Sequence, residues 1–189
     1  MLDTERGATL IRLACEAIAE RFGAPLPAAP DEPWLAEPGA TFVTLTQNGQ
    51  LRGCIGSLEA RRLLDHDVRE NALAAALRDP RFPPLRSDEL ASTRVEVSLL
   101  TAATPLHFVD QEDALRQLRP GVDGVILEYR RHRSTFLPQV WESLAEPRQF
   151  LAQLKSKAGL PADFWDDDIR LSRYRVEKWK EGKEAGHPA

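Results

Sequence analysis

The sequence predicts an α+β protein in which a mixed or antiparallel sheet is flanked by helices. Three observations support this class: stretches with helical spacing of apolar residues, β-type runs, and a turn signal between two of those runs. The elements follow in mixed order, whereas a doubly wound parallel sheet would need regular alternation of strand and helix. At 189 residues the chain has the length of one domain and needs neither a disulfide nor a metal ion to fold.

Helices are predicted where apolar residues recur every three or four positions. Thr4 is placed to cap the first helix, and Gly23 is placed to end it. The predicted helices are residues 4–22, 63–77, 110–118 and 149–158.

Residues 24–38 are rich in proline. Proline fixes φ and lacks a backbone donor, so neither a helix nor an inner strand is expected there. We predict an extended segment that crosses the surface and is held by Trp34. The alternative, a mobile linker between domains, is less consistent with the short helix that precedes it.

Strands are predicted at residues 42–47, 50–55, 95–100, 124–129, 134–137 and 169–176. Asn48-Gly49, between the first two, is the strongest short-range signal for a hairpin with a two-residue turn. Counting outward from that turn places Leu45 opposite Arg52. The same count places Val43 opposite Cys54.

Alternation along the second strand would put Arg52 and Cys54 on one face. A guanidinium beside a thiol favours the thiolate, so Cys54 is a candidate catalytic nucleophile and Arg52 a candidate electrostatic partner. Gly53 and Gly56 would leave room for a ligand or for another backbone. The alternative is structural, since free cysteine is often a small buried hydrophobe on a central strand.

Composition and charge exclude some functions. The net charge of −4 offers no excess of cations for a phosphate backbone, and the basic residues 130–133 resemble an ordinary hairpin tip, so no nucleic-acid partner is expected. No apolar run reaches the ~20 residues that cross a bilayer, and the N-terminus lacks a signal peptide, which predicts a cytoplasmic protein without a membrane partner. Residues 181–189 are predicted to be a flexible tail. No metal site and no cofactor are predicted, because the histidines and cysteines show no ligand spacing.

The hexapeptide Leu51-Arg52-Gly53-Cys54-Ile55-Gly56 resembles the signature of the AMMECR family, whose prokaryotic members are called AmmeMemoRadiSam system protein A. Further blocks follow in the family's order, and together they cover nearly the whole chain, which predicts one AMMECR-type domain over residues 1–189. These blocks are residues 42–44, 76–84, 88–90, 97–100, 121–124, 135–138 and 171–175.

The resemblance implies an α+β fold with a larger and a smaller lobe and a cleft near the hexapeptide. It also implies association with a Memo-like protein and a radical S-adenosylmethionine (SAM) enzyme, whereas the family has no settled reaction. Four further residues are candidate ligand contacts. Arg81 and Phe82 could line the cleft, and Glu96 and Glu128 could present carboxylates to it as general bases. The structural alternatives are a loop stiffened by proline and carboxylates on an exposed sheet face.

Two hypotheses about function follow. In the first, the protein is an enzyme that acts on a small molecule through Cys54. In the second, it is a non-catalytic component that binds a small molecule or docks onto the Memo-like or radical SAM protein, because no nucleophile, base and orienting group are visible together.

Overall fold

A computed structural model describes residues 2–28 and 30–182 of the chain. The helices are α1 (Leu2–Arg21), α2 (Leu64–Leu77), α3 (Gln111–Gln117) and α4 (Pro147–Lys157). The strands are β1 (Pro38–Gly39), β2 (Thr41–Gln47), β3 (Gln50–Gly56), β4 (Arg62–Leu63), β5 (Thr93–Leu100), β6 (Thr104–Leu106), β7 (Gly124–Tyr129), β8 (His132–Phe136), β9 (Arg170–Tyr174) and β10 (Val176–Lys180). The mixture of helices and antiparallel sheets confirms the predicted α+β class. Within the described ranges, no helix is both long and apolar enough to span a bilayer.

The chain divides into two compact units, and the first comprises residues 1–99 and 177–189. Its sheet has the strand order β10-β5-β2-β3, in which β2 pairs antiparallel with both β3 and β5. Apolar side chains alternate along β2 and β5 and point to one face, where they pack with α1 and α2. Members of this core include Leu10, Leu13, Val43, Leu45, Val68, Val95 and Val97.

The second unit comprises residues 100–176. Its sheet has the order β6-β9-β7-β8, and β7 pairs antiparallel with both neighbours. Helices α3 and α4 contribute to a separate core, in which the rings of Trp141 and Phe150 stack with centroids 3.7 Å apart. Asp110 caps α3 by accepting a hydrogen bond from the Asp113 backbone, as its position in the sequence predicts.

Several predicted elements agree with the structure, with shifts at their ends. The helix predicted at 4–22 spans Leu2–Arg21, so the prediction that Thr4 caps it is wrong: Thr4 lies inside the first turn. In the proline-rich segment, residues 24–28 are exposed, but Pro33–Ala36 forms a 3-10 turn that buries Leu35. Of the predicted tail, residues 183–189 lie outside the described part of the chain. Glu181 is tied to β5, since its backbone N–H and its carboxylate both bond the backbone of Val95.

The hairpin at Asn48-Gly49 is confirmed, but its predicted register is wrong beyond the turn. Gln47 pairs with Gln50 as expected, yet the register then shifts between Thr46 and Leu45. This β-bulge leaves Arg52 without a partner, so Leu45 pairs with Gly53 and Thr44 with Cys54. Because an extra residue reverses the alternation of faces, the reasoning that set Arg52 beside Cys54 no longer holds.

Candidate functional site

The guanidinium of Arg52 is bound to groups other than the thiol of Cys54. Its Nε and Nη2 donate to the two carboxylate oxygens of Glu89 at 3.0 and 3.1 Å, and Nη1 donates to the Pro83 carbonyl at 2.9 Å. Arg52 is only 9% exposed, and this paired geometry satisfies most of its donors. Arg52 therefore supports the loop that follows α2.

The partner of Arg52 is held as an anion. The hydrogen bonds from Arg52 outweigh the opposing effect of burial and lower the pKa of Glu89 to about 2. The Arg86 backbone and the Gln47 amide also donate to this carboxylate. Glu89 thus joins the hairpin to the 3-10 turn Ser87–Ser92.

A different arginine lies beside Cys54. The backbone N–H of Cys54 donates to Asp79 Oδ2 at 2.9 Å, and its carbonyl accepts from Arg81 Nη2 at 3.3 Å. Arg81 also binds Asp79 through Nε at 3.0 Å and Nη2 at 2.7 Å. Because β3 is an edge strand, this pair of side chains occupies the backbone groups that a further strand would otherwise bind.

The same contacts favour the charged forms of Asp79 and Arg81. The hydrogen bonds from Arg81 hold the pKa of Asp79 well below its usual range. The pKa of Arg81 is raised, chiefly by its hydrogen bonds to Asp79. Asp79 is 4% exposed, whereas the Arg81 side chain is 54% exposed. A nearly buried carboxylate therefore holds a solvent-facing cation next to the backbone of Cys54.

The thiol itself is half-buried and contacts Thr44, with 3.2 Å between Sγ and Oγ1. Since both backbone groups of Cys54 point to the sheet edge, Thr44 and Cys54 form a non-hydrogen-bonded pair, in which side chains lie closest. Thr44 also pairs with Glu96 on β5, so the three side chains lie in one line across the sheet.

Glu96 continues this line toward β10. Its two carboxylate oxygens lie 3.2 Å from Lys178 Nζ and 3.1 Å from Lys180 Nζ. We call Cys54, Thr44, Glu96, Lys178 and Lys180 the polar row. It lies on the face of the first sheet opposite the helices, because Val43, Leu45, Val95 and Val97 point into the core from the alternate positions.

The glycines of the hexapeptide make room for the protein's own atoms. A Cβ on Gly53 would lie 2.1 Å from the Ala75 carbonyl of α2, and one on Gly56 would lie 2.2 Å from the Phe42 ring. These contacts explain both glycines through close packing, which was the structural alternative raised by the sequence.

The remaining candidate ligand contacts, Phe82 and Glu128, lie in different units of the structure. Phe82 is partly buried, and the Arg81 guanidinium lies over its ring at 5.5 Å. Glu128 belongs to the sheet of the second unit, where it pairs with Arg133 at 3.3 Å. Over residues 2–28 and 30–182, no group of three or more His, Cys, Asp or Glu side chains is arranged to hold a metal ion.

Sequence reasoning missed Asp79, Thr44, Lys178 and Lys180. Asp79 was visible only as part of the loop after α2, and its bond to Cys54 joins positions 25 residues apart. The predicted register placed Val43 opposite Cys54, whereas Thr44 holds that position. The lysines gave no signal, because their partner Glu96 lies on another strand.

Comparison with known proteins identifies relatives over almost the whole chain. The AMMECR1 family profile matches residues 11–179. A protein of Methanothermobacter thermautotrophicus is 39% identical over 95% of this chain and 96% of its own length. Protein SSO0193 of Saccharolobus solfataricus is 37% identical over 98% of this chain and 86% of its own. The crystal structure of uncharacterized protein PH0010 from Pyrococcus horikoshii is similar with a TM-score of 0.74 and 34% identity, covering 97% of this chain and 95% of that one.

Proposed function

The chain belongs to the AMMECR1 family. We propose that it binds a small molecule along the polar row and acts on it at Cys54. The observation that supports this proposal is the Asp79–Arg81 pair, which fixes a cation against the backbone of Cys54. A guanidinium held in place loses little conformational freedom when it binds an anion, so it is suited to recognition.

Arg81 has donors left for a ligand. Its Nε and Nη2 are used for Asp79 and Cys54, while Nη1 has no acceptor among the described residues. Nη1 is therefore the donor that we propose for a carboxylate or phosphate oxygen of the ligand. In this proposal Cys54 Sγ is the nucleophile, Thr44 is its hydrogen-bond partner, and Arg81 binds the anionic part of the ligand. Arg52 is a positioning residue that holds the loop through Pro83.

The resemblance to AmmeMemoRadiSam proteins supports a pathway for this role. We propose that the ligand is shared with a Memo-like protein and a radical SAM enzyme, which would supply it or consume it.

Alkylation of the two cysteines tests the site. We expect Cys54 to favour anionic iodoacetate over neutral iodoacetamide, because Arg81 makes the local potential positive. Arg81→Gln should lower the ratio of the two rates by about threefold, the effect of one nearby charge in a water-like dielectric. Peptide mass spectrometry measures both rates at Cys54. Cys15 serves as the internal reference, since burial raises its pKa to about 12 and should make it slow.

Arg78→Gln is the matched control, because Arg78 is an exposed arginine of the same unit that pairs with Glu70. It should leave the ratio at Cys54 unchanged. The same assay can then be used to search for the ligand. A cell extract is fractionated, and the fraction that slows the reaction of Cys54 with iodoacetamide contains the candidate ligand. An equal ratio in wild type and Arg81→Gln would count against the site.

A second function is favoured by the packing of the hexapeptide. Both glycines are filled by the protein's own atoms and Arg52 is bound internally, which suits a framework strand in a non-catalytic binding or docking component. Cys54→Ser separates the two functions. If this variant keeps the complex with the Memo-like or radical SAM protein and keeps the output of the pathway, the thiol is not catalytic.

A further inference from the structure

The strand β10 brings two lysines to the polar row. Lys178 and Lys180 are two residues apart, so their side chains leave the strand on the same face. Trp179, between them, packs with the core of the first unit, where its ring occupies the space beside Gly7 of α1. This packing fixes which face of β10 the two lysines occupy.

The two lysines share a single carboxylate. Each Nζ lies within 3.2 Å of one oxygen of Glu96, so one of the two positive charges remains uncompensated within this group. An ammonium carries three donors, and each of the two ammonium groups is paired with one oxygen of Glu96. The Lys178 and Lys180 side chains are 49% and 74% exposed, whereas Glu96 is 17% exposed. The outward-facing part of the group is therefore cationic.

Arg94 adds positive charge to this face. It lies two residues before Glu96 on β5, and it is exposed. Its guanidinium donates only to the backbone carbonyls of Ala91 and Thr93 within the described ranges. Arg94, Lys178 and Lys180 therefore form a cationic patch on a chain whose net charge is −4. Such a patch attracts anions locally.

We propose that Lys178 and Lys180 bind an oxyanion, a phosphate or carboxylate group carried by the small molecule at its end remote from Cys54. Glu96 holds the two ammonium groups close together, so that the free donors of both reach one anion. This inference rests on the proposed binding role of the same sheet face, and it adds the class of ligand: a metabolite with an acidic group that can accept at least two hydrogen bonds.

Binding of inorganic pyrophosphate and phosphate tests the inference. Isothermal titration calorimetry at low, constant ionic strength, with chloride as the reference anion, should detect pyrophosphate binding to the wild-type protein. Lys178→Gln/Lys180→Gln should weaken it by at least about tenfold, because two charge-assisted donors are lost. Lys178→Arg/Lys180→Arg should retain it, since the charges and donors remain.

The matched control removes the same net charge elsewhere in the first unit. Arg12→Gln/Arg78→Gln changes two exposed arginines, on α1 and at the end of α2, and should bind pyrophosphate as the wild type does. Absence of pyrophosphate binding beyond that of chloride in the wild type would overturn the inference. So would unchanged binding in the lysine-to-glutamine variant, or an equal loss in the control.

Alkylation of Cys54 tests the proposed function and pyrophosphate binding tests this inference, so the failure of one is distinguishable from the failure of the other. Cys54→Ser then shows whether the lysines form a site of their own. The variant should bind pyrophosphate like the wild type, because the hydroxyl leaves Glu96 and both lysines in place. If it bound pyrophosphate at least about tenfold more weakly, the lysines would not form a site of their own.

Discussion

At the scale of single residues, the charged side chains near Cys54 divide into two kinds. Arg52 and Glu89 bind each other in a largely enclosed pair, so their role is to hold the hairpin against the loop. Arg81 is bound to a nearly buried partner but faces solvent. Arg52 therefore serves stability, whereas Arg81, whose guanidinium is accessible, is the arginine that we propose for ligand recognition.

The Arg52–Glu89 pair should make stability depend on pH. Its carboxylate has a pKa lowered from 4.5 to about 2, so the contribution of the pair is complete above about pH 4.5 and is lost as the pH falls toward 2. We expect Glu89→Gln to reduce the free energy of unfolding by roughly 2 kcal/mol at neutral pH, because Arg52 is left buried without an anion. Urea unfolding at several pH values measures this difference.

The pH dependence is the informative part of that experiment. Wild type and Glu89→Gln should approach each other in stability below about pH 4, where the carboxylate begins to be protonated. A difference that stays constant down to about pH 2 would show that the lost stability comes from packing rather than from charge.

At the scale of elements, the bulge in β3 and the loop after α2 together shape the candidate site. The bulge frees Arg52 from the ladder, and the loop supplies Asp79 and Arg81 to the exposed edge of the same strand. The edge strand β8 of the second unit is also bound by a side chain, since Lys157 donates to the Thr135 carbonyl. Side chains that bind an edge protect it from pairing with another chain.

Close packing of β3 on α2 gives a prediction for Gly53. We expect Gly53→Ala to reduce the free energy of unfolding by roughly 1–3 kcal/mol, because the new methyl group would meet a helix carbonyl that cannot move independently. A Cβ there lies 2.1 Å from the Ala75 oxygen. Thermal and urea unfolding measure the change.

Gly182→Ala is the control for that substitution, since a Cβ at Gly182 meets nothing within 4 Å. It should leave the stability unchanged. If Gly53→Ala were equally neutral, the glycine would not be explained by packing, and a role in leaving space for a ligand would gain support.

At the scale of the whole molecule, the chain leaves the first unit after residue 99, builds the second, and returns with β10. The last strand therefore brings Lys178 and Lys180 to a sheet whose other strands end at least 76 residues earlier, since β5 ends at Leu100 and β10 begins at Val176. The polar row therefore combines residues that precede the second unit in the sequence with residues that follow it.

The second unit should be able to fold alone. Residues 100–176 contain a complete four-stranded sheet, two helices and a separate set of buried apolar residues. Expressed without the rest of the chain, this fragment should show cooperative thermal unfolding and a dispersed amide NMR spectrum. A spectrum without dispersion would mean that its core depends on the first unit.

Much of the fold could be predicted from local patterns. Residues 110–118, the Asn48-Gly49 turn and the alternation of Val95, Val97 and Leu99 each carried enough short-range information to give the correct element. The site was predicted less well. Cys54 was singled out for its proximity to Arg52, yet the neighbouring cation is Arg81, because one extra residue in a strand changes which side chains share a face.

The sequence by itself determined the α+β class, the hairpin and the family, because these depend on periodicity, turn residues and ordered blocks along the chain. Only the tertiary structure decided which groups join the thiol in the candidate site. Asp79 and Arg81 come from the loop after α2, whereas Thr44, Glu96 and the two lysines come from β2, β5 and β10. Their meeting is set by strand register and edge pairing, and these depend on packing between distant segments rather than on local composition.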